Sequence, residues 1–117
     1  MALRKLSLKE VKITVKAEKE DSSVITCGAR LGVCGDSFVK AVREQQKISR
    51  TWGWCCAAVT ASFNGKSATT YLGECSYKSK EDFIKNSGYY DQMVKEAMEE
   101  LQKILEHEYD TIKSLII

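Results

Sequence analysis

Proline is absent from the chain, where average usage of about 5% would give roughly six. Proline-rich recognition segments and cis-proline turns are thereby excluded. Histidine is almost absent as well, His107 being the only imidazole. Long apolar runs are lacking: the most apolar stretch, residues 52–61, is about half the ~20 residues a membrane helix needs. Residues 1–10 interleave Arg4, Lys5 and Lys9 with leucines and so lack the continuous apolar region of a signal peptide. The expectation is a cytoplasmic protein with no membrane partner. A strong charge of either sign is missing too. Lys plus Arg number 18 and Asp plus Glu 16, a formal net charge of +2, which is too small a footprint for a general nucleic-acid binder. A small phosphate-bearing ligand stays open.

What is present reads as an ordinary globular chain. With 117 residues, 44% hydrophobic and 29% charged, a single domain over 1–117 is expected. Within it, residues 1–78 should supply a sheet with a connecting helix, and 79–117 the C-terminal helices. The five cysteines, Cys27, Cys34, Cys55, Cys56 and Cys75, are odd in number and too sparse for a disulfide scaffold, so thiols in a reducing compartment are expected.

The fold class expected is α+β. Val11, Ile13, Val15 and Ala17 alternate with Lys12, Thr14, Lys16 and Glu18, the period of a half-buried strand. The β-branched run at 24–27 suggests a second strand, paired with the first as a hairpin. Asp36 or Ser37 could cap a helix running to about Lys47, with Phe38, Ala41 and Val42 inward. Residues 52–63 and 66–77 flank Asn64-Gly65, the preferred pair for a type I′ hairpin turn. Facing residue numbers then sum to 129. One face carries Cys55, Ala57, Val59, Ala61 and Phe63 with Lys66, Ala68, Thr70, Leu72 and Glu74; the other carries Trp52, Trp54, Cys56 and Thr60 with Thr69, Tyr71, Cys75 and Tyr77. Ser79 with Glu81 and Asp82 marks a helix start, and Gly88 interrupts it. From Tyr89 onward Val94, Met98, Leu101, Leu105, Tyr109, Ile112 and Ile116 recur at steps of four and three, one face of a helix about 40 Å long. A second stripe of Tyr90, Ala97 and Ile104 and the tail Leu115-Ile116-Ile117 point to burial against another copy of the chain.

No catalytic constellation is visible. His107 and Asp110 are too few for a metal site. Cys27 and Cys34 are seven apart, and Cys55-Cys56 point to opposite strand faces, so neither pair is a zinc knuckle. A cysteine nucleophile needs a neighbouring base, and only His107 could serve. The expectation is no enzyme, no metal and no cofactor. Ligand binding has more to rest on. The face with Trp52, Trp54, Tyr71 and Tyr77 could stack a base, or simply pack a core. The Gly28-Ala29-Arg30 turn could cradle a phosphate with its N–H groups and guanidinium, although it lacks a P-loop ending and a dinucleotide fingerprint.

Two hairpins, the Cys27-Gly28-Ala29-Arg30 turn, Thr60-Ala61-Ser62-Phe63-Asn64-Gly65, Tyr71-Leu72-Gly73-Glu74-Cys75-Ser76-Tyr77, Phe83, Gly88-Tyr89-Tyr90 and a long C-terminal helix follow one another in this order. So arranged, nearly the whole chain resembles the first-described family of phage Thoeris anti-defence proteins, sponges that sequester nucleotide immune signals. The resemblance is one of architecture and short tracts. It implies a homodimer or a larger assembly up to a hexamer, built on the C-terminal helices, in the cytoplasm of an infected bacterial cell. Such an assembly would capture a glycocyclic ADP-ribose signal intact in a pocket between protomers. Phe83 would stack the base, Asn86 and Gln92 would bond its polar groups, Arg50 would meet the pyrophosphate, and Trp54 and Tyr90 would form walls. Gly28, Ala29 and Arg30 would hold a cyclic oligonucleotide at a second site. The chain departs from this picture in its last helix, which offers Lys95, Lys103 and Lys113 but no Arg to face a pyrophosphate. The competing reading is a small protein-binding inhibitor or adaptor that works through its long helix.

Overall fold

The structure, a computed structural model, describes residues 4–115. Ile116, the last position of the helical stripe, and Ile117 of the apolar tail lie outside the described residues. The architecture is α+β. A 3-10 turn (Leu8–Glu10) leads into β1 (Lys12–Glu18), α1 (Val24–Arg30), a second 3-10 turn (Gly32–Cys34), α2 (Gly35–Ile48), β2 (Cys55–Phe63), β3 (Lys66–Cys75), α3 (Lys80–Asn86) and α4 (Tyr90–Leu115). One antiparallel sheet has the order β1-β2-β3.

The hairpin β2–β3 forms as its turn dictates. Asn64 and Gly65 both take positive φ, 50° and 80°, the requirement of a type I′ turn. Thr60 Oγ1 and Thr69 Oγ1 meet at 2.7 Å, and Tyr77 N donates to Trp52 O at 2.8 Å; both pairs sum to 129. The face bearing Cys55, Ala57, Val59, Ala61 and Ala68 is the buried one. Near its end β3 departs from alternation. Glu74 has φ 54°, a left-handed residue of the kind found at bulges, and beyond it Cys75 rather than Glu74 is buried.

Among the described residues there is one hairpin, which corrects the expectation of two. The run at 24–27 is the first turn of α1. Ser23 caps it, its Oγ accepting from Thr26 N at 2.9 Å, and Cys27 N donates to Ser23 O at 3.1 Å. Cap and tertiary packing override the β preference of Val24, Ile25 and Thr26, and β1 pairs with β2 instead. Helix α2 also starts differently: the Gly32–Cys34 turn feeds straight into it, and neither Asp36 nor Ser37 is its cap. Its inward positions are Gly35, Phe38 and Val42, whereas Ala41 is exposed.

Residue contacts gather into two compact units. One takes in Met1–Thr14, Val59–Thr70 and Asp91–Ile117 as far as the described residues reach. Its core is Val11, Ala61, Ala68, Ala97 and Leu101, flanked by Leu6, Ile13, Phe63 and Met98. The seam of α4 that goes deepest is Met93, Ala97 and Leu101, so the stripe through Val94, Met98 and Leu105 lies half-buried at its side. Alanines on both sides of this contact let helix and sheet approach closely. Thr70 Oγ1 donates to Met93 O at 3.1 Å, and Gln102 ties down the N-terminal segment by accepting from Leu6 N and donating to Arg4 O.

The other unit comprises Val15–Ala58 and Tyr71–Tyr90. Here α1 and α2 cross at two glycines. A Cβ on Gly35 would fall 2.1 Å from Gly28 O, and one on Gly28 would fall 2.6 Å from Val39 Cγ2. Only hydrogen fits between them. Gly35→Ala is therefore expected to destabilise the protein by about 1–3 kcal/mol through overpacking, read as a lowered urea midpoint; an unchanged midpoint would show that the crossing can open without cost.

Candidate functional site

The largest gathering of aromatic side chains is built by α3 and the turn after it. Ser79 caps α3, its Oγ accepting from Asp82 N at 3.1 Å, while Asp82 Oδ2 accepts from Lys78 N at 3.0 Å. Hydrogen bonds from Lys78 N foremost and then from the Asn86 side chain hold the Asp82 carboxyl below its ordinary range. The helix thus fixed aims Phe83 inward, where it is 0% exposed. Trp52 stacks on Phe83 at 5.5 Å and 25°. Tyr77 meets it edge-on at 5.3 Å and Tyr90 at 6.3 Å. Gly88, at φ 79°, turns the chain so that Tyr89 is exposed and Tyr90 half-buried. Burial pushes the Tyr77 hydroxyl up from its usual range. Beside it the Ser76 Oγ is buried without a hydrogen-bond partner.

This arrangement revises the roles drawn from resemblance. Phe83 is wholly buried among Trp52, Tyr77 and Tyr90, so its ring is not open to solvent, whereas Tyr89 is exposed. Asn86 lies on the same short helix, exposed, its Nδ2 donating to Asp82 Oδ1 at 2.8 Å. Trp54 is engaged elsewhere: its Nε1 donates to Ser22 O at 2.8 Å and its ring meets Phe38 edge-on at 6.0 Å. Arg50 is exposed just beyond α2. Gln92 belongs to the other compact unit, where its Nε2 donates to Glu96 Oε1. The four hairpin aromatics do not share one stacking surface, since Trp52 is core, Trp54 packs on α2 and Tyr71 is exposed.

The second expected site changes character. Gly28 and Ala29 lie inside α1, so they do not form a turn with free N–H groups; within a helix those groups are committed to the backbone ladder. The Arg30 guanidinium is committed as well, lying 2.9 Å from Glu74 Oε2 and 2.9 Å from Cys27 Sγ. Cys27 Sγ donates to Glu74 Oε2 at 2.8 Å, and Glu20 accepts the Glu74 N–H. The hydrogen bonds from Cys27 and Arg30 hold the Glu74 carboxyl below its ordinary range, while burial and the same carboxylate push the Cys27 thiol up. This link anchors α1 to the end of β3 and stabilises the left-handed Glu74. Gly28 and Ala29 do line a depression of about 410 Å³, whose other lining residues include Ile25, Val39, Asp36 and Lys40.

In the first unit a groove of about 360 Å³ runs beside α4, lined by Leu6, Phe63, Leu105, Tyr109 and Ile112. The Lys66–Glu108 ion pair, at 3.4 Å, borders it. Among the described residues no group of three or more His, Cys, Asp or Glu side chains is placed to hold a metal ion, and no helix is long and apolar enough to cross a membrane.

All five cysteines are free thiols. Burial, aided by Cys75, pushes the Cys55 thiol up to about 12, so its thiolate fraction near neutral pH is negligible. Cys34 is exposed. A brief native maleimide treatment read by peptide mass spectrometry should therefore label Cys34 and spare Cys55, which reacts only after denaturation; equal labelling would contradict this burial.

Sequence reasoning did not find Glu20, Glu74 or Ser76. Their roles arise from contacts between distant segments, and only the break in β3 alternation at Gly73-Glu74-Cys75 hinted at one of them. No family model, no curated protein and no solved structure matches the chain.

Proposed function

We propose that this protein is a non-catalytic binding protein that captures an intact nucleotide signal of the glycocyclic ADP-ribose kind and neutralises it by sequestration. The observation that carries this reading is the packing of Tyr90 and Tyr77 on Phe83, with Asn86 exposed one turn further along α3 from Phe83 and Tyr89 exposed beyond the Gly88 turn. Ring faces on Tyr89 and Tyr90 can stack a base, worth about 1–3 kcal/mol per contact. Asn86 offers amide groups to its polar edge, the Ser76 hydroxyl is buried without a hydrogen-bond partner next to Tyr77 in sequence, and Arg50, exposed beyond α2, is the cation proposed for the phosphate. A second protomer would close the site and exclude water, strengthening each of these contacts.

The test is native mass spectrometry before and after incubation with extract from cells whose TIR-domain immune enzyme is active, followed by heat release. A mass increment matching an intact cyclic nucleotide, released unaltered, is expected. Tyr90→Ala and Asn86→Ala should each weaken capture by about ten-fold or more, equivalent to 1.4 kcal/mol, with the assembly unchanged. No increment, or release of a hydrolysed product, would overturn the reading.

A second reading is a protein-binding inhibitor or adaptor acting through α4. It is favoured by Ile112 and Leu115, both exposed on the last turns of the helix, with Ile112 at the edge of the groove. Truncation after Glu108 removes both residues. Smaller assemblies, or loss of a bound partner, are expected from the truncated chain, and an unaltered mass would eliminate this surface.

A further inference from the structure

The groove beside α4 lies wholly within one compact unit, and none of its residues enters the nucleotide capture proposed above. Its volume of about 360 Å³ falls within the range of sites for small ligands. Its lining from α4 includes Leu105, Tyr109 and Ile112, four and three residues apart and therefore on one helical face. Phe63 and Leu6 add to this apolar strip. At 1.5 Å per residue, Leu105 and Ile112 are about 10 Å apart along the helix, so the strip is elongated. The charges around it do not balance. Lys66 and Glu108 pair with each other and cancel. The remaining charged lining residue is Arg4, whose partner Glu10 is not part of the lining and engages one terminal nitrogen; a guanidinium carries further N–H donors on its other edges. Arg4 is held at the level of Gln102, whose Nε2 donates to the Arg4 carbonyl at 3.1 Å, just short of Leu105. A cation and then an apolar strip thus follow one another along α4.

We infer that this groove binds a medium-chain fatty acid, with the carboxylate on Arg4 and the hydrocarbon chain along Leu105, Tyr109 and Ile112. The charge excess calls for an anion, and a carboxylate is the planar two-oxygen acceptor that a guanidinium meets with paired hydrogen bonds. The strip calls for an unbranched apolar body. Each methylene laid on it leaves water, and Ile112, which is 54% exposed, is covered in turn. Lys66 has a supporting part: while it pairs with Glu108, the Glu108 carboxylate is neutralised and does not repel the incoming head group. An uncharged hydrophobe would occupy the strip and make no use of Arg4, and a polyphosphate would gain nothing from the strip. This inference does not rest on the proposed nucleotide capture.

The test titrates the full chain with octanoate, and separately with 1-octanol, in two-dimensional amide NMR. Octanoate should shift the amides of residues 102–112 saturably, and 1-octanol, which has the chain without the charge, should bind about ten-fold more weakly. Arg4→Ala should weaken octanoate by about ten-fold and leave 1-octanol unchanged. Ile112→Asp should weaken both. Arg4 and Ile112 are exposed, and the unshifted amides of each variant report whether it folds like the parent. Absence of saturable shifts, equal affinity for octanoate and 1-octanol, or an Arg4→Ala variant that loses both alike or neither would each overturn the inference. So would a parent chain that ignores octanoate and whose concentration-dependent line broadening is relieved by Ile112→Asp, since the groove would then belong to a second copy of the chain.

Discussion

The fully buried side chains of β2 are small, and much else follows from that. Cys55, Ala57, Ala58, Val59 and Ala61 are all buried, and none exceeds valine in size. A central strand with so little volume cannot fill space by itself, so whatever packs on it must come close. In one unit the answer is alanine against alanine, with Ala97 of α4 meeting the Ala61 and Ala68 layer. In the other the bulk comes from outside the strand, through Trp52 and Phe83, while α1 and α2 save room by crossing backbone to backbone at Gly28 and Gly35. Close approach of this kind buys rigidity at the cost of tolerance, because a single added methyl has nowhere to go.

The same closeness explains the polar link at the end of β3. Glu74 takes a backbone conformation that ordinarily suits glycine, and it is held there by partners on both its main chain and its side chain. Glu20 fixes the amide, and Cys27 with Arg30 fixes the carboxylate. The result reverses the strand's alternation and turns Cys75 inward. A surface ion pair alone contributes little, but here it works together with hydrogen bonds that leave Glu74 few alternatives.

Local chemistry was legible in the sequence and distant chemistry was not. Asn64-Gly65 announced its turn and register because two residues suffice to set them. Ser79 and Gly88 announced the ends of α3 for the same reason. The β-branched run at Val24–Thr26 misled because strand preference is weak beside a good cap and a glycine-mediated helix crossing, neither of which shows in a window of four residues. The periodicity of α4 identified the helix, yet the buried seam proved to run through Met93 and Ala97, since small residues mark the closest contact more truly than large ones. For the site, α3 carries both Phe83 and Asn86, and Tyr90 at the start of α4 packs on Phe83, whereas Trp54 and Arg30 have partners contributed by far-off segments, Ser22 and Glu74.

The position of the tryptophans has a practical consequence. Trp52 and Trp54 both belong to the unit containing Val15–Ala58, and the other unit has no tryptophan. Helix α4, the longest helical segment, belongs almost wholly to that other unit. Intrinsic tryptophan fluorescence therefore listens to one unit alone, while far-ultraviolet ellipticity sums the helices of both, α1, α2 and α3 in the one and α4 in the other. Overlaying the two melting curves distinguishes a single cooperative transition from two successive ones, with no label added to the protein.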